Sequence, residues 1–103
     1  GIFTEVAETP FEKVTSSSIA FADIDNDNDK DVLITGRNNS FVYISKLYTN
    51  DGSGSYTEAT GTPFDGVNSG SISFADIDND SDQDVLITGE NNSFVYNSKL
   101  YTN

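Results

Sequence analysis

Apolar and polar positions alternate in short stretches along this chain, and dense clusters of Asp, Asn, Gly and Ser separate the stretches. In Ser18-Ile19-Ala20-Phe21-Ala22 large and small residues alternate, so Ile19 and Phe21 share one face of a strand. Val32-Leu33-Ile34-Thr35 is a continuous apolar, β-branched run that stops at Gly36, the pattern of a strand buried on both faces. Residues 41–49 are rich in Phe, Val, Tyr, Ile and Thr, which fit a pleated surface. Asn50-Asp51-Gly52-Ser53-Gly54 signals a turn, and residues 55–59 then read as a short strand. The pattern predicts strands over 17–22, 31–36, 41–49 and 55–59, and again over 70–75, 84–89 and 94–102. No segment joins a helical period to helix caps, so the expected class is all-β.

The strands recur because the sequence is duplicated. Thr9-Pro10-Phe11 returns as Thr62-Pro63-Phe64, and Leu47-Tyr48-Thr49-Asn50 returns as Leu100-Tyr101-Thr102-Asn103. The offset is 53 residues without a gap, and 35 of the 48 positions compared between 3–50 and 56–103 are identical. A period near 50 suits four-stranded antiparallel propeller blades better than shorter helical or leucine-rich repeats. The division expected is one blade over 1–53 and a second over 54–103.

The second repeat reaches Asn103 without a fourth strand, whereas residues 2–6 match 55–59. Two blades cannot bury both of their faces or close a ring. The expectation is therefore strand exchange, with residues 2–6 of one chain completing the last blade of its neighbour in a closed propeller. A homotrimer gives six blades and a homotetramer eight. The alternative is a piece cut from a longer propeller; the start at Gly1, without methionine or a signal-peptide pattern, reads as a mature or cleaved fragment.

Between the first two strands of each repeat lies an acidic turn, with aspartates at positions 1, 3, 5, 7 and 9. They are Asp23, Asp25, Asp27, Asp29 and Asp31 in the first copy and Asp76, Asp78, Asp80, Asp82 and Asp84 in the second. Five acids in nine residues repel one another unless a hard divalent cation takes several oxygens at once. Calcium accepts six to eight oxygens in flexible geometry, so about two Ca2+ per chain are expected. Side chains of Asp23, Asp25, Asp27, Asp31 and their copies are the expected ligands, with Asp29 and Asp82 contributing backbone carbonyls. Position 12 is Ile34 or Ile87 on a strand, not a helical glutamate, so the loop is not an EF-hand.

Phe-Ala-Asp-Ile-Asp-Asn-Asp followed by Asp-Val-Leu-Ile-Thr-Gly, present twice and spanning nearly the whole chain, resembles the FG-GAP or VCBS repeat of integrin-alpha-type propellers. The resemblance implies four-stranded blades, structural calcium between the first and second strands, partners on the opposite face, and an extracellular setting. It also admits a lectin-like reading. The family commonly has glycine at loop position 6; here Asn28 and Ser81 stand there, and Ser accepts a left-handed backbone less readily.

Composition narrows the functions further. A formal charge of -12 argues against nucleic acid and anionic membranes as partners and suits metal cations. The chain has no Cys, which excludes thiol chemistry, and no His, which removes the commonest general base, and no enzyme is expected. Asn38-Asn39-Ser40 and Asn91-Asn92-Ser93 match the N-glycosylation pattern, an accident expected in Asn-rich turns. With Arg37 and Glu90, these turns are candidates for a rim that binds a protein or glycan. Phe41, Tyr43, Tyr48 and their copies Phe94, Tyr96 and Tyr101 suit sugar stacking or, more commonly, packing between blades. Phe11 and Phe64 are expected to plug the gap between blades.

Overall fold

A computed structural model describes residues 1–103. It has seven strands: β1 (Val14–Ala22), β2 (Asp31–Asn38), β3 (Tyr43–Asn50), β4 (Tyr56–Glu58), β5 (Val67–Ala75), β6 (Asp84–Asn91) and β7 (Tyr96–Tyr101). All pair antiparallel in one open sheet ordered β1-β2-β3-β5-β6-β7, with β4 paired to the far end of β3. The two repeats are thus joined in one sheet rather than forming separate four-stranded sheets. A single pair, Ile44 with Val67, makes the join. One chain does not close a ring, since β1 pairs only with β2 and β7 only with β6.

Each repeat builds the same meander in the same register. Two of the boundaries that differ from the apolar pattern have clear local reasons. A bulge carries β1 and β5 three residues further back than expected, with Ser16 and Ser69 at φ of 48° and 55°. β3 and β7 start two residues later than expected, because Phe41 and Phe94 turn left-handed, at φ of 61° and 60°. Asn38 closes that turn: its N–H donates to the Val42 carbonyl, and its Oδ1 accepts from the N–H of Ser40 and Val42. Residues 2–6, expected as a strand, form none within the chain and are exposed; no strand edge of the same chain reaches them.

The second repeat lies on one face of the first, with β5 against β1 and β2. Leu33 and Leu47 from the first repeat meet Val67, Val85 and Ile87 from the second. On the other face of β2, Val32 and Ile34 pack with Tyr48 beneath Phe11, Val14 and Tyr56. β2 is therefore buried on both faces, as its apolar run requires. β6 carries the same Val-Leu-Ile-Thr run, yet Leu86 is exposed because no layer covers its side of the sheet. Phe64 packs against the cluster between the repeats, as expected, and edge-on to Tyr101. Phe11 instead caps β3 and the short β4 paired to it, 5.1 Å from the Tyr48 ring and 5.2 Å from that of Tyr56. Tyr48 is fully buried; its hydroxyl accepts the Glu12 N–H at 3.0 Å, so its polar tip is satisfied.

Candidate metal centre

The acidic turn is strung between the end of β1 and the first residue of β2. Asp31, the first residue of β2, is buried and satisfies two backbone donors. Its Oδ2 accepts the Ile24 N–H at 3.0 Å, and its Oδ1 accepts the Asn50 N–H at 2.9 Å. One carboxylate thereby ties the start of the turn to the end of β3. Asp84 repeats the arrangement with Ile77 and Asn103. Asp23 closes the turn from the other side, accepting the N–H groups of Asp27 and Asn28, and Asp76 does the same with Asp80 and Ser81. Asp27 and Asp80 accept the N–H two residues on, from Asp29 and Asp82.

These bonds fold the turn so that four carboxylates converge. Oxygens of Asp23, Asp25, Asp27 and Asp31 lie within 4.8 Å of one another, as do those of Asp76, Asp78, Asp80 and Asp84. That spacing fits a cation whose oxygen ligands sit about 2.3–2.6 Å from its centre. Asp29 and Asp82 lie outside the two clusters. The Asp29 carboxylate leans over Gly52 in the following turn. Asp82 accepts the Asn26 side chain at 2.6 Å, a bond that links the acidic turn of one repeat to that of the other.

Convergence of like charges is visible in the acidities. Burial, then the hydrogen bond to Asp27 and the charge of Asp31, raise Asp25 above the ordinary carboxylate value. The hydrogen bond to Asp80 and then burial raise Asp78 in the same way. Asp23 moves oppositely: burial pushes it up, but the N–H groups of Asn28, Asp27 and Asn26 outweigh this and hold it below its ordinary value. The site is thus a hard, all-oxygen, strongly anionic pocket built on a rigid strand corner. Its carboxylates are suited to binding a hard divalent cation.

The left-handed residues of the turn are Asn26 and Asn28 in the first copy, and Asn79 and Ser81 in the second. Ser81 sits at φ of 74°, where a Cβ is costly and Ser has no amide to compensate. Replacing Ser81 by glycine is expected to stabilise the chain by about 1 kcal/mol. Asn28→Gly should gain less, because Asn tolerates this region better. Thermal melts of the two variants check the order; an unchanged or lowered midpoint for Ser81→Gly would show that the turn carries no strain.

One contributor had no individual signal in the sequence. Asn92, part of an Asn-rich turn, reaches from the second repeat to the first: its Oδ1 accepts the Tyr43 N–H at 2.9 Å and its Nδ2 donates to the Tyr43 carbonyl at 3.0 Å. Nearby, the Arg37 guanidinium lies 5.3 Å from the centre of the exposed Phe41 ring.

The sequence pattern of the FG-GAP-like repeat matches residues 23–87, a span that contains both acidic turns. No curated protein and no solved structure matches the chain significantly. With both acidic turns inside that span, which covers more than half of its length, the chain belongs to the FG-GAP-like repeat family.

Proposed function

We propose that this chain is a non-catalytic, calcium-stabilised interaction module that assembles with copies of itself into a symmetric β-propeller. Membership of the FG-GAP-like repeat family supports a structural or interaction role. The observation that carries the calcium reading is the duplicated convergence of four carboxylates within 4.8 Å at a strand corner. In the first copy Asp23, Asp25, Asp27 and Asp31 would hold the ion, with the Asp29 carbonyl completing the set; in the second, Asp76, Asp78, Asp80 and Asp84, with Asp82. Two ions would cut the formal charge from -12 to -8, which eases the approach of one chain to another. Residues 2–6 have no strand partner in the chain, and the outer edge of β7 is open. Pairing the one with the other between chains removes both exposures. An extracellular setting suits an oxygen-ligand site of this kind, since extracellular calcium modules work at about 0.1–1 mM.

A lectin is the second reading, favoured by the exposure of Phe41, Phe94 and Tyr96 beside the Asn-rich turns. Glycan-array binding that Phe41→Ala and Phe94→Ala abolish would support it. Native mass spectrometry in calcium tests the main proposal. With a chain mass of 11.1 kDa, a trimer lies near roughly 33 kDa and a tetramer near roughly 44 kDa, the closed rings that whole chains can form. The expected result is one closed oligomer with about two calcium ions per chain. A monomer, or a ladder of sizes without metal, overturns it.

A further inference from the structure

We infer that two copies of this chain join head to tail by repeating, between chains, the face-to-face contact its two repeats make within the chain. Leu86 and Leu100 of one copy pack on Ile19 and Phe21 of the next, and Asn39 of that next copy holds the backbone of Tyr96. The inference rests on the assembly proposed above and supplies its interface.

The chain contains its own control. Leu33 and Leu86 are equivalent residues in equivalent strands, yet Leu33 is 0 % exposed and Leu86 is 42 % exposed. Leu47 and Leu100 differ in the same direction, at 7 % and 52 %. Local sequence cannot cause this, because both repeats share one register. The cause is that the second repeat covers Leu33 and Leu47, and nothing covers Leu86 and Leu100. The covering surface includes Ile72 and Phe74, which pack against the cluster holding Leu33 and Leu47. Their equivalents, Ile19 and Phe21, are each 60 % exposed. The uncovered face and the unused covering surface therefore sit on opposite sides of one molecule, and the contact that mates them is already built once. A contact between two different surfaces propagates and closes only as a ring.

Hydrogen bonding points the same way. Asn92 secures the first repeat through the backbone N–H and carbonyl of Tyr43. Tyr96 stands opposite Glu90 as Tyr43 stands opposite Arg37, but no side chain caps its backbone, and Asn39 makes no side-chain bond. Phe94 meets the Tyr43 ring edge-on at 6.4 Å, so Phe41 would meet Tyr96, which is 87 % exposed. The Tyr43 hydroxyl donates to Glu90 at 3.3 Å; between chains Arg37 takes that place and donates to the Tyr96 hydroxyl instead.

The chain exposes 6551 Å², against about 5,700 Å² for a compact monomer of its mass, so surface is left over for contacts with neighbours.

One position breaks the copy. Gly66 lies so close to Tyr43 that a Cβ there would run into the Tyr43 carbonyl oxygen. Lys13 occupies the equivalent position, so between chains the contact opens enough to clear the Tyr96 carbonyl, and Asn39 keeps the Tyr96 N–H as its backbone partner. Asn97 in place of Ile44 suits a wetter opening there.

The chain has no cysteine, which permits a direct test. Tyr43→Cys with Asn92→Cys in one chain calibrates disulfide closure at the known contact. Tyr96→Cys and Asn39→Cys are placed in separate chains and mixed under mild oxidation in calcium. The expected product is a covalent dimer in the mixture only, with more of it when Lys13→Gly is added. Leu86→Asp with Leu100→Asp should abolish it while the strand signal in circular dichroism persists. Native mass spectra are taken alongside. A closed oligomer whose mixture fails to cross-link, although the calibrating pair closes, overturns this interface and leaves assembly standing. A monomer throughout overturns both.

Discussion

Chelation of calcium lowers the thermal midpoint of this chain by roughly 20–40 °C, the largest effect expected from any change of condition. A ligand at 100 times its dissociation constant stabilises the native state by about 2.7 kcal/mol per site, and two sites give about 5.5 kcal/mol. For a chain of about 100 residues each kcal/mol moves the midpoint by about 4–8 °C. The effect is large because little else holds the fold: only 14 of 103 residues are buried. Small domains have about 5–15 kcal/mol to lose in total. The measurement is a pair of melts, in excess calcium and in excess chelator, at equal ionic strength. Coincident midpoints would mean that the carboxylate clusters are solvated turns.

Asp31→Ala destabilises the metal-free chain by about 3 kcal/mol, while Asp25→Ala, a few residues away, does not. Both residues belong to the same carboxylate cluster, and the difference lies in what else each one does. Asp31 is buried and accepts the N–H groups of Ile24 and Asn50. Alanine leaves both donors without an acceptor, at about 1–3 kcal/mol each. Asp31→Asn keeps one oxygen to accept with and should fall between. Asp25 is exposed, and its acidity is weakened by burial and by its acidic neighbours. A carboxyl held above its ordinary value favours the fold while protonated, and that contribution is lost as the pH rises through the raised value. At neutral pH its removal relieves repulsion, so Asp25→Ala is neutral or stabilising without calcium and destabilising with it. Urea denaturation of the three variants, with and without chelator, reads both signs. Equal losses for Asp31→Ala and Asp25→Ala in chelator would contradict the division of roles.

Much of this was legible in the sequence because it is local. The 53-residue duplication, the Val-Leu-Ile-Thr strands and the acidic turns are short-range patterns, and β2 and β6 follow them closely. The departures arose where local chemistry carried no apolar signal. The bulge at Ser16 and Ser17 extends β1 through polar residues, and the left-handed Phe41 delays β3 although its side chain suits a strand. In the turn, the alternation of aspartates marked every candidate. Loop position had already set Asp29 apart from the side-chain ligands; folding adds that Asp31 is locked under two N–H groups and that the Asp29 carboxylate leans over Gly52.

By itself the sequence determined what each repeat is: a strand meander with an oxygen-rich corner, made twice, because backbone pairing and turn chemistry depend on neighbours a few residues away. Tertiary structure alone decided which of the residues the copies share are enclosed. Thirty-five of 48 compared positions are identical, yet Leu33 is enclosed while Leu86 faces outward, and Phe74 packs while Phe21 does not. Burial belongs to the surface opposite a residue and not to the residue, so two identical segments acquire different environments as soon as one lies upon the other.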